Sequence, residues 1–362
     1  MTGNKIIGIV VLTGMLLTAC GGALPATSWP NATLGEDTLM VSNNTAIYAL
    51  SPENGMLRWQ FPHEGKGDRT TNQLYSAPAE NGNLALAGSD NKHAFALSVE
   101  TGEELWRFDA TGNKSGTAPT AVGASSKMLF FAADDTLYAL QPSSGLPAWT
   151  VEADGEIWAA PATDNERVYL PSMDHHITAL DMQSGAKLWQ TKLDGALADT
   201  PTLVDGMLYV GALAQHAYAI DSMTGIVKWR FDTDGWVWGS PTVSDNSVYF
   251  ADLDGNVYAL DAVNGRSYWR SQQLDSSVRG SPAIDNDIVF IVTDGGYLYA
   301  LNARNGNQIW ELQVDANNAD RLLADPIARD GLIYVTAMNG ESLMMAYHQE
   351  SGQLAWQFQP DS

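Results

Sequence analysis

Short apolar runs separated by turn residues recur along the whole chain, and the segment from Pro241 to Trp269 shows this pattern most clearly. Runs of this length, bounded by Asp, Asn and Gly, favour β-strands. We predict strands at 241–243, 247–251 and 256–261, followed by a fourth strand that ends near Trp269. Because no segment has a helical period, we expect very little α-helix in the domain.

Tight turns are predicted between these strands. A polar residue precedes glycine in Asn264-Gly265, Thr224-Gly225 and Ser184-Gly185, which suits a type I turn closed by a residue in the left-handed conformation. Another turn, Asp252-Leu253-Asp254-Gly255, looks like the start of a calcium loop, but turn formation explains the same residues. We therefore predict no metal site.

One sequence pattern returns eight times, and the segment from Ala219 to Trp229 shows it in full. An alanine stands six residues before a glycine, and a tryptophan stands four residues after that glycine. The eight tryptophans are Trp59, Trp106, Trp149, Trp189, Trp229, Trp269, Trp310 and Trp356, at intervals of 47, 43, 40, 40, 40, 41 and 46 residues. These intervals match the length of one four-stranded propeller blade. We predict an all-β fold, an eight-bladed β-propeller of four-stranded antiparallel blades spanning 30–362.

The repeated residues have a structural interpretation. Alanine at the centre of the third strand leaves room for the neighbouring sheet, and tryptophan on the fourth strand fills the gap between blades. We expect the eight tryptophans to dock one blade on the next, each with a carbonyl partner for its indole N–H group. The Asp of Ala-x-Asp recurs only as Asp181, Asp221 and Asp261, so we expect the docking hydrogen bonds to vary between blades.

Charge limits the choice of partner. The chain has a formal net charge of −23, with no long run of one sign. Such a surface disfavours nucleic acid as a partner.

The N-terminal segment is treated apart from the fold. Lys5 precedes an apolar run from Ile6 to Leu17, and small residues then lead to Cys20, the only cysteine. This arrangement resembles a bacterial lipoprotein signal, which implies cleavage of 1–19, a lipid on Cys20 and a flexible tether over 20–29. An uncleaved anchor and an ordinary signal peptide are the alternatives. We expect an extracytoplasmic protein anchored to a membrane by lipid.

The loops between blades carry the clearest departures from the repeat. The distance from Trp to the next Pro is 12 or 13 residues in most blades, but 19 from Trp59 to Pro78 and 16 from Trp310 to Pro326. Added loop length often carries function. The insertions bring in four basic or aromatic residues: Lys66, Arg69, Tyr75 and Arg321.

Aromatic residues and an arginine stand three residues before the proline that opens a blade. They are Tyr75, Trp158, Trp238 and Arg279, with Trp236 close by. Side chains of this kind often anchor a protein interface. We predict that they bind a partner, together with Arg69 and Arg321 of the insertions. The alternative is that they pack under the loops at the mouth of the axial channel.

The motif Ala-x-Asp-x-x-Thr-Gly-x-x-x-Trp resembles the tryptophan-docking motif of quinoprotein dehydrogenases. The resemblance covers the whole predicted domain, and the same repeats occur without cofactor in BamB-type outer-membrane assembly lipoproteins. A dehydrogenase of this kind would bring a disulfide of adjacent cysteines, a calcium site and an Asp base. Cys20 is the only cysteine, so that disulfide cannot form within this chain. We predict no enzyme activity and no cofactor, with a PQQ-dependent dehydrogenase as a remote alternative.

The resemblance to BamB-type proteins also suggests which loops bind a partner. That family holds the barrel-assembly protein through a Leu-x-Leu-Arg stretch before one blade and an Asp-x-Asp stretch before the next. Val278, Arg279 and Asp325 match these stretches in part, whereas the first Leu and the second acid are absent. The resemblance therefore implies that these three residues contact a partner.

The function we predict is a lipid-anchored, monomeric scaffold that binds another envelope protein and resembles BamB. The partner would be a barrel-assembly component if the cell has an outer membrane. A ligand-binding propeller is the main alternative, with Trp158, Trp236 and Trp238 as a stacking platform for saccharide or peptide.

Overall fold

The structure, a computed structural model, describes residues 30–43, 46–63, 74, 77–89, 91–110, 121–314, 321–338 and 342–360. The predicted signal segment, tether and lipidated Cys20 lie outside the described residues, as do Lys66, Arg69 and Tyr75. Within the described part of the chain, no helix is both long enough and apolar enough to cross a bilayer.

Four strands, each hydrogen-bonded to the next, form each antiparallel blade, and eight such blades follow one another along the chain. Blades 1 to 4 contain β1 to β16, namely Asn31–Leu34, Leu39–Ser42, Ile47–Leu50, Leu57–Phe61, Ala79–Asn81, Leu84–Gly88, His93–Ser98, Glu104–Asp109, Ala121–Ala124, Leu129–Ala133, Thr136–Leu140, Pro147–Glu152, Ala162–Thr163, Arg167–Pro171, His176–Asp181 and Lys187–Lys192. Blades 5 to 8 contain β17 to β32, namely Thr202–Val204, Met207–Ala212, His216–Asp221, Val227–Asp232, Thr242–Ser244, Ser247–Ala251, Val257–Asp261, Ser267–Arg270, Ala283–Asp285, Ile288–Val292, Tyr297–Asn302, Gln308–Gln313, Ile327–Arg329, Leu332–Thr336, Met344–His348 and Leu354–Phe358. The predicted all-β fold with eight four-stranded blades is confirmed.

The order of the strands in each blade runs from the axis to the rim. First strands of neighbouring blades contact one another, for example β17 with β21 and β21 with β25, which places them around the axis. The second and third strands are almost entirely buried, whereas the fourth strand exposes much of its length. The repeated alanine of every third strand is fully buried, as expected for a residue that lets the neighbouring sheet approach.

Tryptophan side chains join each blade to the next. In all eight blades the indole N–H group donates to a backbone carbonyl of the following blade, over 2.8 to 3.0 Å. The prediction that the docking hydrogen bonds vary between blades is wrong. The acceptor in every blade is a backbone carbonyl, which does not depend on the side chain at that position. Asp181 and Asp221 instead accept hydrogen bonds from residues of their own turns.

Each tryptophan ring packs on the glycine of the next blade. These eight glycines have φ between +66° and +72°, which side chains with a Cβ atom rarely adopt. A Cβ atom at Gly265 would lie 2.7 Å from the ring of Trp229. Glycine therefore serves two purposes here, since it closes the turn and leaves space for the ring.

The ring closes through side chains, without exchange of strands between the termini. Blade 1 contains β1 to β4 and blade 8 contains β29 to β32, each in chain order. The indole of Trp356 donates to Pro52 O over 2.9 Å, and the hydroxyl of Thr336 donates to Pro30 O over 2.8 Å. A cluster that includes Leu39, Tyr48 and Met344 fills the space between the two blades.

Candidate functional site

The loops that lead into the first strands share a buried anchor. Four residues before the opening proline, the chain places an aliphatic side chain that is at most 1% exposed, in five successive loops: Ile157, Leu197, Val237, Val278 and Leu322. Burial of these side chains fixes each loop on the core between two blades. The residue that follows each anchor is therefore held in a defined place.

Five side chains from these loops and from one hairpin form a connected group, which we name the mouth cluster: Trp158, Trp238, Arg279, Asp294 and Arg321. The rings of Trp158 and Trp238 lie 6.4 Å apart between centroids and are tilted by 49°. The guanidinium of Arg279 lies 5.2 Å from the ring centroid of Trp238. This distance permits a cation–π interaction.

An aspartate joins two arginines at one end of the mouth cluster. Asp294 Oδ2 accepts hydrogen bonds from Arg279 Nε over 3.0 Å and from Arg321 Nη2 over 2.9 Å. The Asp294 side chain is 14% exposed, whereas that of Arg321 is 49% exposed. Because one carboxylate serves both cations, the accessible guanidinium of Arg321 makes this end of the cluster basic.

The opposite end of the mouth cluster carries an acid. The indole N–H group of Trp158 donates to Glu156 Oε2 over 2.9 Å, and Glu156 is exposed. The cluster thus runs from a carboxylate, past two indole rings, to an arginine pair. The chain has a net charge of −23, so this arginine pair beside aromatic rings differs from the mostly acidic composition of the protein.

Two carboxyl groups lie beside the mouth cluster on neighbouring loops. Asp199 Oδ1 accepts from Thr200 N over 2.7 Å, and Asp199 Oδ2 accepts from Ser240 N over 2.9 Å. Asp325 Oδ1 accepts from Ser281 N over 2.6 Å. The hydroxyl of Ser281 donates to Asp199 Oδ2 over 3.4 Å, so one serine touches both acids.

The surroundings of these two acids disfavour ionisation. Burial and the negative charge of Asp325 raise the pKa of Asp199 to about 7. The surrounding protein atoms displace water and also raise the pKa of Asp325. Asp325 is nevertheless exposed, and we place its accessible surface on the axial channel because the residue immediately precedes an innermost strand.

The acids of the loop from Asp252 to Gly255 serve the turn itself. Asp252 is fully buried and accepts hydrogen bonds from Gly235 N, Asn256 N, Asn256 Nδ2 and the hydroxyl of Tyr258. This carboxylate therefore has partners in blade 6 and in the loop that joins blades 5 and 6. Among the residues that the structure describes, no group of three or more His, Cys, Asp and Glu side chains is placed to hold a metal ion.

The sequence profile described as outer membrane protein assembly factor BamB matches residues 90–199 and 173–362. The chain belongs to this family. Its profile covers blades 3 to 8 in full and the last two strands of blade 2, since blade 1 and the first two strands of blade 2 precede residue 90. A comparison with curated protein sequences finds no significant match.

Solved structures similar to this BamB-family propeller share its fold at low sequence identity. BamB from Moraxella catarrhalis is 20% identical, with a TM-score of 0.72 over 87% of this chain and 92% of that chain. The computationally designed Ika8 protein is 16% identical, with a TM-score of 0.72 over 89% and 96% of the two chains. The C-terminal WD40 domain of Sif2 is 14% identical, with a TM-score of 0.72 over 87% and 95%.

The structure separates the residues that the BamB resemblance brought together. Arg279 belongs to the mouth cluster, but Val278 is 1% exposed and packs between blades 6 and 7. The prediction that Val278 contacts a partner is therefore corrected, because it is one of the five buried loop anchors. Asp325 is bonded to Ser281 beside Asp199 and does not take part in the contacts of the mouth cluster.

The other predicted site residues have different positions. Trp236 is 51% exposed, with its carbonyl bonded to Leu253 N. Arg69 and Tyr75 lie outside the described residues. The sequence interpretation missed Asp294 and Asp199. Asp199 stands two residues before Pro201, and at the same distance from their opening proline the other blades from 2 to 8 have a small residue. This departure from the repeat is the sequence signal that could have identified Asp199.

Proposed function

We propose that this BamB-family propeller is a non-enzymatic scaffold that binds another envelope protein through the mouth cluster. The observation that carries the proposal is the contiguous run of Trp158, Trp238 and Arg279, held on loops whose neighbouring aliphatic residues are buried. Tryptophan and arginine are the residues most enriched at the energetic centres of interfaces. Rigid loops reduce the entropy lost on binding.

The chemistry of the mouth cluster indicates the surface it recognises. An apolar or aromatic side chain of the partner would lie against the indole rings, and a carboxylate would pair with Arg321, which is 49% exposed. The shared carboxylate of Asp294 orients both guanidinium groups before the partner arrives. Preorganisation of this kind favours a protein partner with a matching acidic and apolar patch.

A saccharide would require a different arrangement. Sugar rings stack on open aromatic faces, whereas Trp238 has Arg279 over its ring and is tilted by 49° to Trp158. These two rings do not form a flat platform, so the structure favours the scaffold over the ligand-binding alternative. Quenching of tryptophan fluorescence by soluble oligosaccharides would reverse this preference.

The location follows from the sequence and from the family. We propose that residues 1–19 are removed, that Cys20 carries the lipid, and that 20–29 tether the propeller of 30–362. The profile that matches this chain is named for outer membrane protein assembly. A component of β-barrel assembly is accordingly the partner we propose where the cell has an outer membrane.

Lipidation is tested by replacing Cys20. The Cys20→Ser variant should incorporate no labelled fatty acid, because a serine hydroxyl replaces the thiol that would take the lipid. Metabolic labelling with a fatty acid measures this effect. Unchanged labelling of the variant would contradict the proposed anchor.

Partner binding is tested by crosslinking in intact cells. The double variant Trp158→Ala, Arg279→Glu should lose about 2 kcal/mol of binding free energy, or roughly 30-fold in affinity, because it removes one anchor and reverses the charge of another. Tyr268→Ala is the matched control, since Tyr268 is also an exposed aromatic residue, 51% accessible, but lies on an outer strand. Purification of the crosslinked protein should recover a barrel-assembly component with the control and lose it with the double variant.

Three results would count against the scaffold proposal. Recovery of the same partner with both variants would remove the mouth cluster from the interface. Recovery of no envelope protein with the wild type would contradict the scaffold itself. Dye-linked dehydrogenase activity after addition of PQQ and calcium would show that the chain is an enzyme.

A further inference from the structure

The loops before blades 6, 7 and 8 pack main chain against main chain. A Cβ atom at Gly239 would lie 2.7 Å from Gly280 C and Ser281 N. A Cβ atom at Gly280 would lie 2.9 Å from Ala324 O. With no side chain between them, a displacement of one loop must move the next.

The two acids hold this stack at defined points. Ser240 N donates to Asp199, and Ser281 N donates to Asp325. Ser240 N also lies 2.9 Å from Ser281 Oγ, so the two serines are joined to each other as well. Hydrogen bonds thus run without interruption from the loop before blade 5 to the loop before blade 8.

The same hydrogen bonds lie next to the partner-binding anchors. Ser240 follows Trp238 by two residues, and Ser281 follows Arg279 by two residues. The backbone N–H groups that the acids hold are therefore in the segments that carry Trp238 and Arg279. A change in the charge of the acids acts on the backbone immediately beside both side chains.

We propose that Asp199 and Asp325 form a carboxyl pair that shares one proton and positions Trp238 and Arg279, so that ionisation of the pair changes the geometry of the mouth cluster. The inference goes beyond the proposed function, because it concerns the free protein and requires no partner. When the pair carries one proton, it holds a single negative charge that the backbone N–H groups stabilise. When both acids ionise, two negative charges face each other across Ser281.

The hydrogen bonds indicate where the shared proton lies. Both oxygens of Asp199 accept from backbone N–H groups, which favours its carboxylate form. Asp325 Oδ1 accepts from Ser281 N, and the Ser281 side chain is a second hydrogen-bond partner of Asp325. Asp325 has fewer backbone donors than Asp199, so the proton favours Asp325, although the two acids titrate as a unit.

Other charged groups on these loops are engaged elsewhere. Asp194 pairs with Arg230, and Asp234 pairs with Arg270. Asp275 accepts from Thr293 and Tyr299, whereas Arg279 and Arg321 share Asp294. Within the described residues, Asp325 is the charged neighbour that acts on Asp199.

The expected pH dependence of stability has a definite sign. The pKa of Asp199, about 7, is above that of an exposed Asp, so the native state binds more protons than the unfolded state between these values. This contribution to stability is fully present below the unfolded pKa and is lost as the pH rises through 7. The melting temperature of the wild type should therefore fall between pH 5 and pH 8.

The test compares Asp325→Asn with Asp205→Asn over that pH range. The amide introduced by Asp325→Asn would keep an acceptor for Ser281 N without a charge, while Asp205 is an exposed turn residue and controls for the loss of one acid elsewhere. The melting temperature of Asp325→Asn should fall less with pH than that of the wild type, and the difference should correspond to about one proton. The fluorescence of the tryptophans should show a transition near pH 7 in the wild type and in Asp205→Asn, and lose it in Asp325→Asn.

Two outcomes would overturn the proposal. One is a fluorescence transition near pH 7 of equal amplitude in Asp325→Asn and the wild type, which would assign the transition to histidines. The other is a wild-type protein whose fluorescence is constant from pH 5 to pH 8. If Asp325→Asn does not fold, Asp199→Asn replaces it in the same comparison. The proposal then requires that the fluorescence transition near pH 7 is present in the wild type and lost in Asp199→Asn. None of these measurements depends on a partner, so failure here would leave the proposed scaffold function untouched.

Discussion

Replacing Trp229 with alanine is expected to lower the free energy of unfolding by about 3 to 5 kcal/mol, as for other large aromatic side chains removed from a core. Trp229 is 8% exposed and lies between blades 5 and 6, where its ring packs on Gly265. Its indole N–H group donates to Ala262 O over 3.0 Å. The substitution removes the ring, leaves a cavity and removes one of the two donors to that carbonyl, the other being the hydroxyl of Tyr209 at 3.1 Å.

Denaturation of the purified protein by urea measures this effect. Trp229→Phe is the matched variant, since it keeps most of the apolar ring and loses the indole hydrogen bond. It should cost less than the alanine variant, with about 1 kcal/mol of the loss assigned to the hydrogen bond. A loss under about 1 kcal/mol for Trp229→Ala would contradict the position of the ring between the blades.

Gly265→Ala should destabilise the protein by about 2 to 4 kcal/mol, through a backbone term and a packing term. Gly265 has φ +71°, and an added Cβ atom would lie 2.7 Å from the ring of Trp229. That ring is held by its own hydrogen bond and cannot move freely. The methyl group therefore separates the two blades.

Gly331→Ala separates the two terms. Gly331 has φ +78°, but an added Cβ atom would meet nothing within 4 Å. Only the backbone term applies there, so we expect a loss of about 1 to 2 kcal/mol. Equal losses for the two variants in urea denaturation would show that the ring of Trp229 does not constrain Gly265.

The two stability predictions bear on function because the same docking supports the mouth cluster. Its side chains come from loops in different gaps between blades, so their mutual distances depend on the spacing of the blades. Trp158 and Trp238, for example, are separated by two blades and 80 residues of sequence. A variant that loosens one docking contact should therefore weaken partner binding as well as stability.

The sequence predicted the strands of blade 6 closely, because turn residues mark their ends. The second strand, Ser247–Ala251, has the predicted bounds, and the third begins at Val257, one residue after the predicted start. Val278 shows where such prediction failed. Its resemblance to a family motif suggested contact with a partner, whereas the buried position that it shares with Ile157 and Val237 explains it better.

The sequence by itself determined the number of blades and their order, since each repeat is a local unit whose alanine, glycine and tryptophan recur within eleven residues. Only the tertiary structure decided the mouth cluster and the carboxyl pair. Ser281 and Asp199 are 82 residues apart in the chain and meet because the ring curves back toward its axis. The repeat in the sequence is local, so it does not show which distant loop residues meet when the ring closes. Only the contacts between side chains of different loops show this.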